Sequence, residues 1–145
     1  MIKKIFYING TTLPGGGPEH IYQLIKKLNR NEWEPSLCTK KNGAFWEKFY
    51  SMRIKLYDLS LRKLSPLTLF KLFFILHKER PDLIHTHGKG PGLYGRIIGR
   101  ILNIPVVHTF HGFHYEDLSY FTRAVHLAAD FFLTLITAQH IFVSS

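Results

Sequence analysis

Cysteine is nearly absent from this sequence of 145 residues, which contains only Cys38. A single cysteine cannot form an internal disulfide, and a thiolate metal site needs several. The chain therefore predicts a fold held together by its apolar core, in a reducing compartment such as the cytoplasm. Hydrophobic residues make up 46% of the chain, which is enough for the core of one globular domain and excludes low-complexity disorder.

Acidic residues are also scarce, because 10 Asp plus Glu stand against 19 Lys plus Arg, for a formal net charge of +9. A surface of this charge attracts phosphate groups. Charge alone leaves nucleic acid, anionic lipid headgroups and phosphorylated small molecules as candidates. The basic residues are spread over every segment, with no dense run and no recognisable reader motif, so nucleic acid is not the expected partner.

Long apolar runs are missing as well. The first residues contain no apolar stretch long enough for a signal peptide, so no export signal is expected. The most apolar stretch, residues 124–143, is interrupted by His126, Asp130, Gln139 and His140. A carboxylate near the middle of a membrane span would be costly. We therefore expect this stretch to form a buried helix followed by a strand.

Short apolar runs alternate with longer segments of helical period, which is the pattern of βαβ units. The pattern predicts an α/β fold with a Rossmann-like parallel sheet of about six strands and helices on both faces. The strands are predicted at residues 5–8, 35–39, 54–57, 82–87, 104–109 and 141–143. The helices are predicted from Pro18, at residues 44–50, from Pro66, after Gly92 and up to about Ala138. No repeat or linker interrupts the pattern, so residues 1–145 are treated as one domain.

Three unusual loops follow strands one, four and five, and ligands bind at this carboxyl edge of open parallel sheets. The first loop contains Gly15, Gly16 and Gly17. Glycines at the start of a helix let backbone amides approach a phosphate, although they also suit a structural tight turn. The sequence leaves both interpretations open. The motifs of dinucleotide-binding and P-loop folds are not satisfied.

The second and third loops carry a lysine and several histidines. Lys89 can neutralise a phosphate, and it also suits a solvated surface position. His111 is the predicted hydrogen-bond donor to a sugar or phosphate oxygen, with His87 beside it on the neighbouring loop. For His85 and His108 we favour a packed strand end, with ring nitrogens bonded to backbone carbonyls.

A metal site and a covalent nucleophile are both considered and not expected. His85 and His87 share one face of their strand, but no carboxylate lies at a matching spacing. No G-x-S-x-G motif is present, Cys38 has no placed partner, and no carboxylate pair stands in the predicted site. The candidate residues therefore bind a substrate rather than attack it.

The sequence resembles the N-terminal domain of GT-B glycosyltransferases of the family-4-like, retaining group, which includes bacterial capsule, exopolysaccharide and lipid-glycan enzymes. The resemblance spans the whole chain and rests on the turn at Gly15, the strand from Pro81 to His87, Gly95–Arg96, and the segment from Ile104 to His114. It implies that the glycine turn approaches the donor diphosphate, that His111 is the catalytic residue and contacts the transferred sugar, and that His87 lies in the cleft wall. The substrate-binding or donor-binding residues expected from loops and resemblance together are Gly15, Gly16, Gly17, His87, Lys89, Gly112 and His114.

This resemblance implies the acceptor-binding half of an enzyme that moves a sugar from a nucleotide-diphosphate sugar to a glycan or lipid-linked acceptor, with no further cofactor. Enzymes of this group carry a second domain with an E-x-x-x-x-x-x-x-E motif, which this sequence lacks, and His140 stands where an acidic residue is common. We therefore expect residues 1–145 to be an N-terminal, acceptor-side domain that is incomplete at its C-terminus and inactive alone. It is expected to be part of a larger enzyme or to pair with a donor-binding subunit.

Three stretches combine basic residues with aromatic or apolar ones, at residues 45–50, 61–64 and 71–80. These stretches suit docking on an anionic membrane, which would place the protein at the inner face of the cytoplasmic membrane. They equally suit ordinary amphipathic helices with basic solvent faces. The alternative from another class is a non-enzymatic basic binding module for nucleic acid or an anionic surface.

Overall fold

The computed structural model describes residues 1–61, 63, 65–111 and 119–143, apart from the side chain of His126. Its strands form one parallel sheet in the order β3-β2-β1-β4-β5-β6. The strands are β1 (Lys3–Ile8), β2 (Trp33–Thr39), β3 (Lys55–Asp58), β4 (Leu83–His87), β5 (Val106–Phe110) and β6 (Gln139–Phe142). The helices are α1 (Gly16–Lys27), α2 (Phe45–Ser51), α3 (Pro66–Glu79), α4 (Lys89–Leu102) and α5 (Tyr120–Thr134). The predicted α/β class is confirmed, and each predicted strand lies within two residues of its place.

The strand order reverses at β1, which pairs with β2 on one side and with β4 on the other. In the second pairing, Tyr7 of β1 stands opposite His85 of β4. Loops on the two sides of such a reversal leave in opposite directions, so a crevice opens between them at the carboxyl ends of the strands. The turn after β1 and the segment after β4 flank this crevice.

Two apolar cores lie on opposite faces of the sheet, because successive side chains of a strand alternate between its faces. Phe6 and Ile8 of β1 pack on one face, in the core that includes side chains of α3 and α4. Ile5 and Tyr7 pack on the other face, in the core that includes side chains of α1 and α2. Helices therefore cover both faces, as the continuous apolar run of β1 indicates.

Helix α4 begins at Lys89, although residues 88–92 were expected to form a loop before the helix. The amide of Gly92 donates to the carbonyl of Gly88 at 2.9 Å, which is a helical bond. Pro91 is tolerated because the first turn of a helix needs no amide donor. Gly88, at φ of 82°, is the residue that needs glycine's freedom, since side chains are strained there. Similarly, α1 begins at Gly16 rather than at Pro18.

Helix α5 was expected to be buried and to reach Ala138, and both expectations are wrong. The helix ends at Thr134, and Phe121 and Phe132 are 78% and 66% exposed. Leu133 is the buried apolar side chain of this helix among those described. The apolar composition of this segment led to the expectation that the helix is buried, because composition does not show which surface a helix packs against. Within the described part of the chain, no helix has the length and apolar character needed to cross a membrane.

Candidate functional site

Three histidines meet at the carboxyl edge of the sheet. His20 lies in α1, His87 ends β4, and His111 follows β5. The ring centres are 5.4 Å apart for His20 and His87, 5.6 Å for His20 and His111, and 5.4 Å for His87 and His111. We call this group the histidine cluster. The structure therefore brings together the two histidines singled out in the sequence and adds His20, for which no role was predicted.

The histidine cluster is held by burial and by one internal hydrogen bond. His87 is 1% exposed, and its Nδ1 lies 3.1 Å from Nε2 of His111, so one of these nitrogens donates and the other accepts. Burial, followed by repulsion from neighbouring histidines, lowers the pKa of His87 well below its ordinary value. Burial also lowers the pKa of His20 and of His111. The cluster thus presents neutral rings, each with one N–H donor and one lone pair.

His85 and His108 are buried beside the cluster, but their partners differ from the expectation. Nε2 of His85 lies 2.8 Å from Oγ1 of Thr109, and Nδ1 of His108 lies 2.7 Å from Oγ1 of Thr86. The expected backbone carbonyl partners are therefore wrong. The register explains the second pair, since Thr86 and His108 stand opposite each other on β4 and β5. Backbone carbonyls between the strands are engaged in the ladder, whereas the threonine hydroxyls are available to the rings.

Acidification is expected to destabilise the fold partly through His108. Burial, reinforced by Arg96, lowers the pKa of His108 from 6.5 to about 3. Below pH 6.5 the unfolded chain takes up a proton that the folded chain does not, so this contribution is complete above 6.5 and is lost as the pH falls towards 3. One such group gives a slope of at most about 1.4 kcal/mol per pH unit. Urea unfolding between pH 7.5 and 5 should show a smaller slope for His108→Gln.

The control for this measurement is His77→Gln, the same substitution at an exposed position of α3. An equal slope for His108→Gln and the unmodified chain would contradict the assignment.

The glycine turn lies next to the histidine cluster. Gly15 precedes α1, and its carbonyl accepts from the amide of Glu19 at 3.2 Å. A side chain at Gly16 would place its Cβ 3.7 Å from Nδ1 of His111. The backbone of the turn and the ring of His111 therefore border one space, and the amides of Gly16 and Gly17 lie in the first turn of a helix, where an anion is favoured.

Asn42 fixes the segment that leads into the glycine turn, and sequence reasoning missed it. Its Oδ1 accepts from the amide of Thr12 at 2.9 Å and from the hydroxyl of Thr11 at 3.0 Å. The Thr12 hydroxyl donates to the carbonyl of Lys40 at 2.8 Å. The neighbouring pattern of asparagine and glycine at residues 42 and 43 signals a turn, but nothing local shows that it bonds to residues 11 and 12.

The other predicted site residues have different outcomes. Lys89 is exposed in the first turn of α4, at the edge of the sheet where β4 ends with His87. Gly112 and His114 lie outside the residues that the structure describes. Cys38 is fully buried, and burial raises the pKa of its thiol to about 12, so it is not a reactive thiolate near neutral pH.

A parallel sheet with this strand order and a site at its reversal point define an α/β domain like the N-terminal half of GT-B glycosyltransferases. A family model described as Glycosyltransferase Family 4 matches residues 14–144, and the chain belongs to that family. The recognised family and the GT-B-like N-terminal domain are thus confirmed.

Several known proteins are similar to this chain. It is 30% identical over 120 residues to a UDP-Gal:alpha-D-GlcNAc-diphosphoundecaprenol alpha-1,3-galactosyltransferase of Escherichia coli, a match that covers 79% of the chain and 31% of the relative. The chain thus spans about a third of that relative's length. Among solved structures, MurG of Acinetobacter baumannii has a TM-score of 0.68 at 15% identity, covering 99% of this chain and 42% of that one. HepE of Anabaena in complex with UDP and glucose has a TM-score of 0.67 at 19% identity, covering 88% and 35%. At these identities the structural matches show the fold.

Proposed function

We propose that this chain is the acceptor-side half of a glycosyltransferase that moves a sugar from a nucleotide-diphosphate sugar to a lipid-linked or glycan hydroxyl. The observation that carries the proposal is the shared space between the glycine turn and His111, where a Cβ on Gly16 would stand 3.7 Å from Nδ1 of the ring. The name of the Escherichia coli relative, which acts on a diphosphoundecaprenol-linked sugar, supports a lipid-linked acceptor.

The chemistry of this space suits sugar and phosphate binding. The amides of the first turn of α1 favour a phosphate oxygen, and the neutral ring of His111 can donate its N–H to a sugar hydroxyl. His87 supports that ring through the bond between Nδ1 and Nε2. The nucleotide would be held by a second domain, from a longer natural chain or from a partner subunit. These features favour sugar transfer over a non-enzymatic nucleic-acid module.

His111→Ala is the variant that tests the proposal. In the complete enzyme, consisting of this chain with its donor-binding domain, we expect the variant to lower the transfer rate by about 100-fold or more, as loss of one positioned donor does. Transfer of labelled sugar from UDP-galactose or UDP-glucose to GlcNAc-diphosphoundecaprenol is the measurement. Ile101→Ala, at a side chain that is 63% exposed on α4, is the control. An undiminished rate in His111→Ala would refute the assigned role.

We further propose that the exposed face of α3 docks on an anionic membrane surface. Leu67, Phe70 and Phe74 are 64%, 60% and 65% exposed and recur at helical spacing. Lys71 and Lys78 are exposed on the same helix. Apolar side chains that insert at the interface, together with lysines that meet lipid phosphates, are the features of interfacial helices.

The other stretches expected to dock do not present such a face. Phe45 and Phe49 are 4% and 0% exposed, and Leu61 is 0% exposed, because all three pack in the cores. Arg62 and Leu64 lie outside the described residues. Docking is therefore assigned to α3.

Replacing both Phe70 and Phe74 by serine is expected to weaken binding to anionic vesicles by at least about 10-fold. A phenylalanine side chain that becomes buried in the lipid interface contributes roughly 1.5–3 kcal/mol to binding. Vesicle sedimentation at two salt concentrations measures the loss. Ile101→Ser is the control, since Ile101 is 63% exposed on α4. Equal binding of the double variant and the control would show that α3 is not the docking face.

A further inference from the structure

The histidine cluster has the spacing of a metal site. One nitrogen from each of His20, His87 and His111 can be chosen so that all three lie within 4.8 Å of one another. The three ring centres form a nearly equilateral triangle of 5.4 to 5.6 Å. For a tetrahedral zinc ion held at about 2.0–2.1 Å by three imidazoles, the ring centres stand about 5 Å apart. The rings are therefore already at nearly the right separation.

Two buried nitrogens of the cluster have no hydrogen-bond partner among the described residues. Nδ1 of His20 and Nε2 of His87 are buried and accept or donate no hydrogen bond within the described part of the chain. A buried polar atom left unpaired costs free energy, and His87 is 1% exposed. A cation bound to the lone pairs of the rings would remove the free-energy cost of the unpaired nitrogens. Rotation about the Cβ–ring bond has a broad energy minimum, so the rings can turn their nitrogens towards a shared ion.

We propose that His20, His87 and His111 bind a divalent transition-metal ion of the Zn²⁺ class. Imidazole nitrogens suit Zn²⁺, Co²⁺, Ni²⁺ and Cu²⁺, whereas Mg²⁺ and Ca²⁺ prefer oxygen ligands. Three histidines are also the ligand set of zinc sites whose fourth position stays open to water or substrate. The earlier expectation of no metal considered His85 with His87, and Nε2 of His85 is engaged by Thr109.

The metal proposal does not depend on sugar transfer, since ion binding needs only these three rings. If the transfer proposal also holds, the ion would occupy the space beside Gly16 that the sugar is proposed to enter. Added Zn²⁺ would then compete with the substrate in the transfer assay. Failure of that competition alone would leave ion binding intact, so the two proposals are tested separately.

The test is titration of the untagged 145-residue chain, freed of metal with a chelator, with Zn²⁺ in a calorimeter and with Co²⁺ followed by visible absorption. We expect one ion per chain with a dissociation constant in the micromolar range or below, and Co²⁺ bands of a four-coordinate site. Mg²⁺ in excess should not displace the ion. His20→Gln should weaken Zn²⁺ binding by more than the roughly 10–100-fold loss typical of an outer-shell partner. His77→Gln, on α3, is the matched control.

His20 and His111 are only partly buried, so glutamine at either position should leave the fold intact, which thermal melting checks. If His87→Gln fails to fold, the other two variants still decide the outcome. Equal Zn²⁺ affinity in His20→Gln, His111→Gln and the unmodified chain would overturn the proposal, as would the absence of any 1:1 binding.

Discussion

Gly95→Ala is expected to lower the free energy of unfolding by about 2 kcal/mol, even though alanine favours a helix over glycine by about 1 kcal/mol. Gly95 lies in α4 against the sheet, and a Cβ there would overlap Cγ2 of Thr86 and come within 3.1 Å of Cδ1 of Ile8. Both neighbours belong to β-strands that are buried in the core. The helix propensity of alanine and the overlap of its Cβ have opposite effects on stability. The sign of the change in the free energy of unfolding therefore tests how closely α4 packs against the sheet.

Thr86 cannot rotate away without loss. Its hydroxyl lies 2.7 Å from Nδ1 of His108 and donates to the carbonyl of Val107 at 3.3 Å, so turning the side chain would leave a buried ring nitrogen unpaired. The overlap must therefore be relieved by moving α4 away from β4. Because α4 begins two residues after His87, we also expect the histidine cluster to loosen.

Chemical denaturation of Gly95→Ala gives the free energy, and Gly16→Ala is the matched control. Gly16 also lies in a helix, but its added Cβ would meet only Nδ1 of His111 at 3.7 Å, an ordinary contact. The control should therefore keep the stability of the unmodified chain within about 0.5 kcal/mol. Stabilisation by Gly95→Ala would mean that α4 stands further from the sheet than the structure places it.

The sequence predicted the strands well because a parallel sheet covered on both faces needs continuous apolar runs, as at Ile5 to Ile8. It was less successful at the helix starts. The segment from Gly88 to Gly92 has the composition of a loop, yet only Gly88 adopts a positive φ, and the rest forms the first turn of α4. Glycine and proline are common both in loops and in the first turn of a helix, so composition could not locate the start of α4.

The site was predicted in part. His87 ends β4 and His111 follows the neighbouring strand β5, and the rule that carboxyl ends of parallel strands share an edge predicted that they lie together. His20 was missed because it belongs to a helix far away in the sequence. One signal was available: it lies four residues after Gly16, about one turn into the helix that starts at the predicted site. The orientation of its ring, however, depends on tertiary packing that no local pattern encodes.

The pairing of Arg96 with Asp130 was likewise invisible in the sequence, where Asp130 served only as an argument against a membrane span. In the structure, Nη2 of Arg96 donates to Oδ1 of Asp130 at 3.1 Å, and Nε donates to the carbonyl of Gly92 at 3.0 Å. The Arg96 side chain is 1% exposed and that of Asp130 is 21% exposed. This pair joins α4 to α5, two helices whose apolar contacts are few, since most apolar side chains of α5 are exposed.

Asp130→Ala is expected to destabilise the fold by at least about 2 kcal/mol, because it removes a carboxylate that accepts a hydrogen bond at 3.1 Å from the buried guanidinium of Arg96. The solvent exposure of Asp130 keeps this value below that of a fully buried pair. Arg96→Met should cost less, since methionine fills the same space without a charge and the remaining carboxylate can reach water. Chemical denaturation at neutral pH measures both variants.

The double variant Arg96→Met with Asp130→Ala provides the decisive comparison. If the cost of Asp130→Ala comes from the lost attraction between the two charges, removing the Arg96 charge as well should restore stability, and the double variant should be more stable than Asp130→Ala alone. If the two costs simply add, the pair contributes through packing rather than through charge. In that case Arg96 would contribute through its aliphatic part and through its position over the ring of Phe110 in β5, 6.0 Å from the guanidinium carbon.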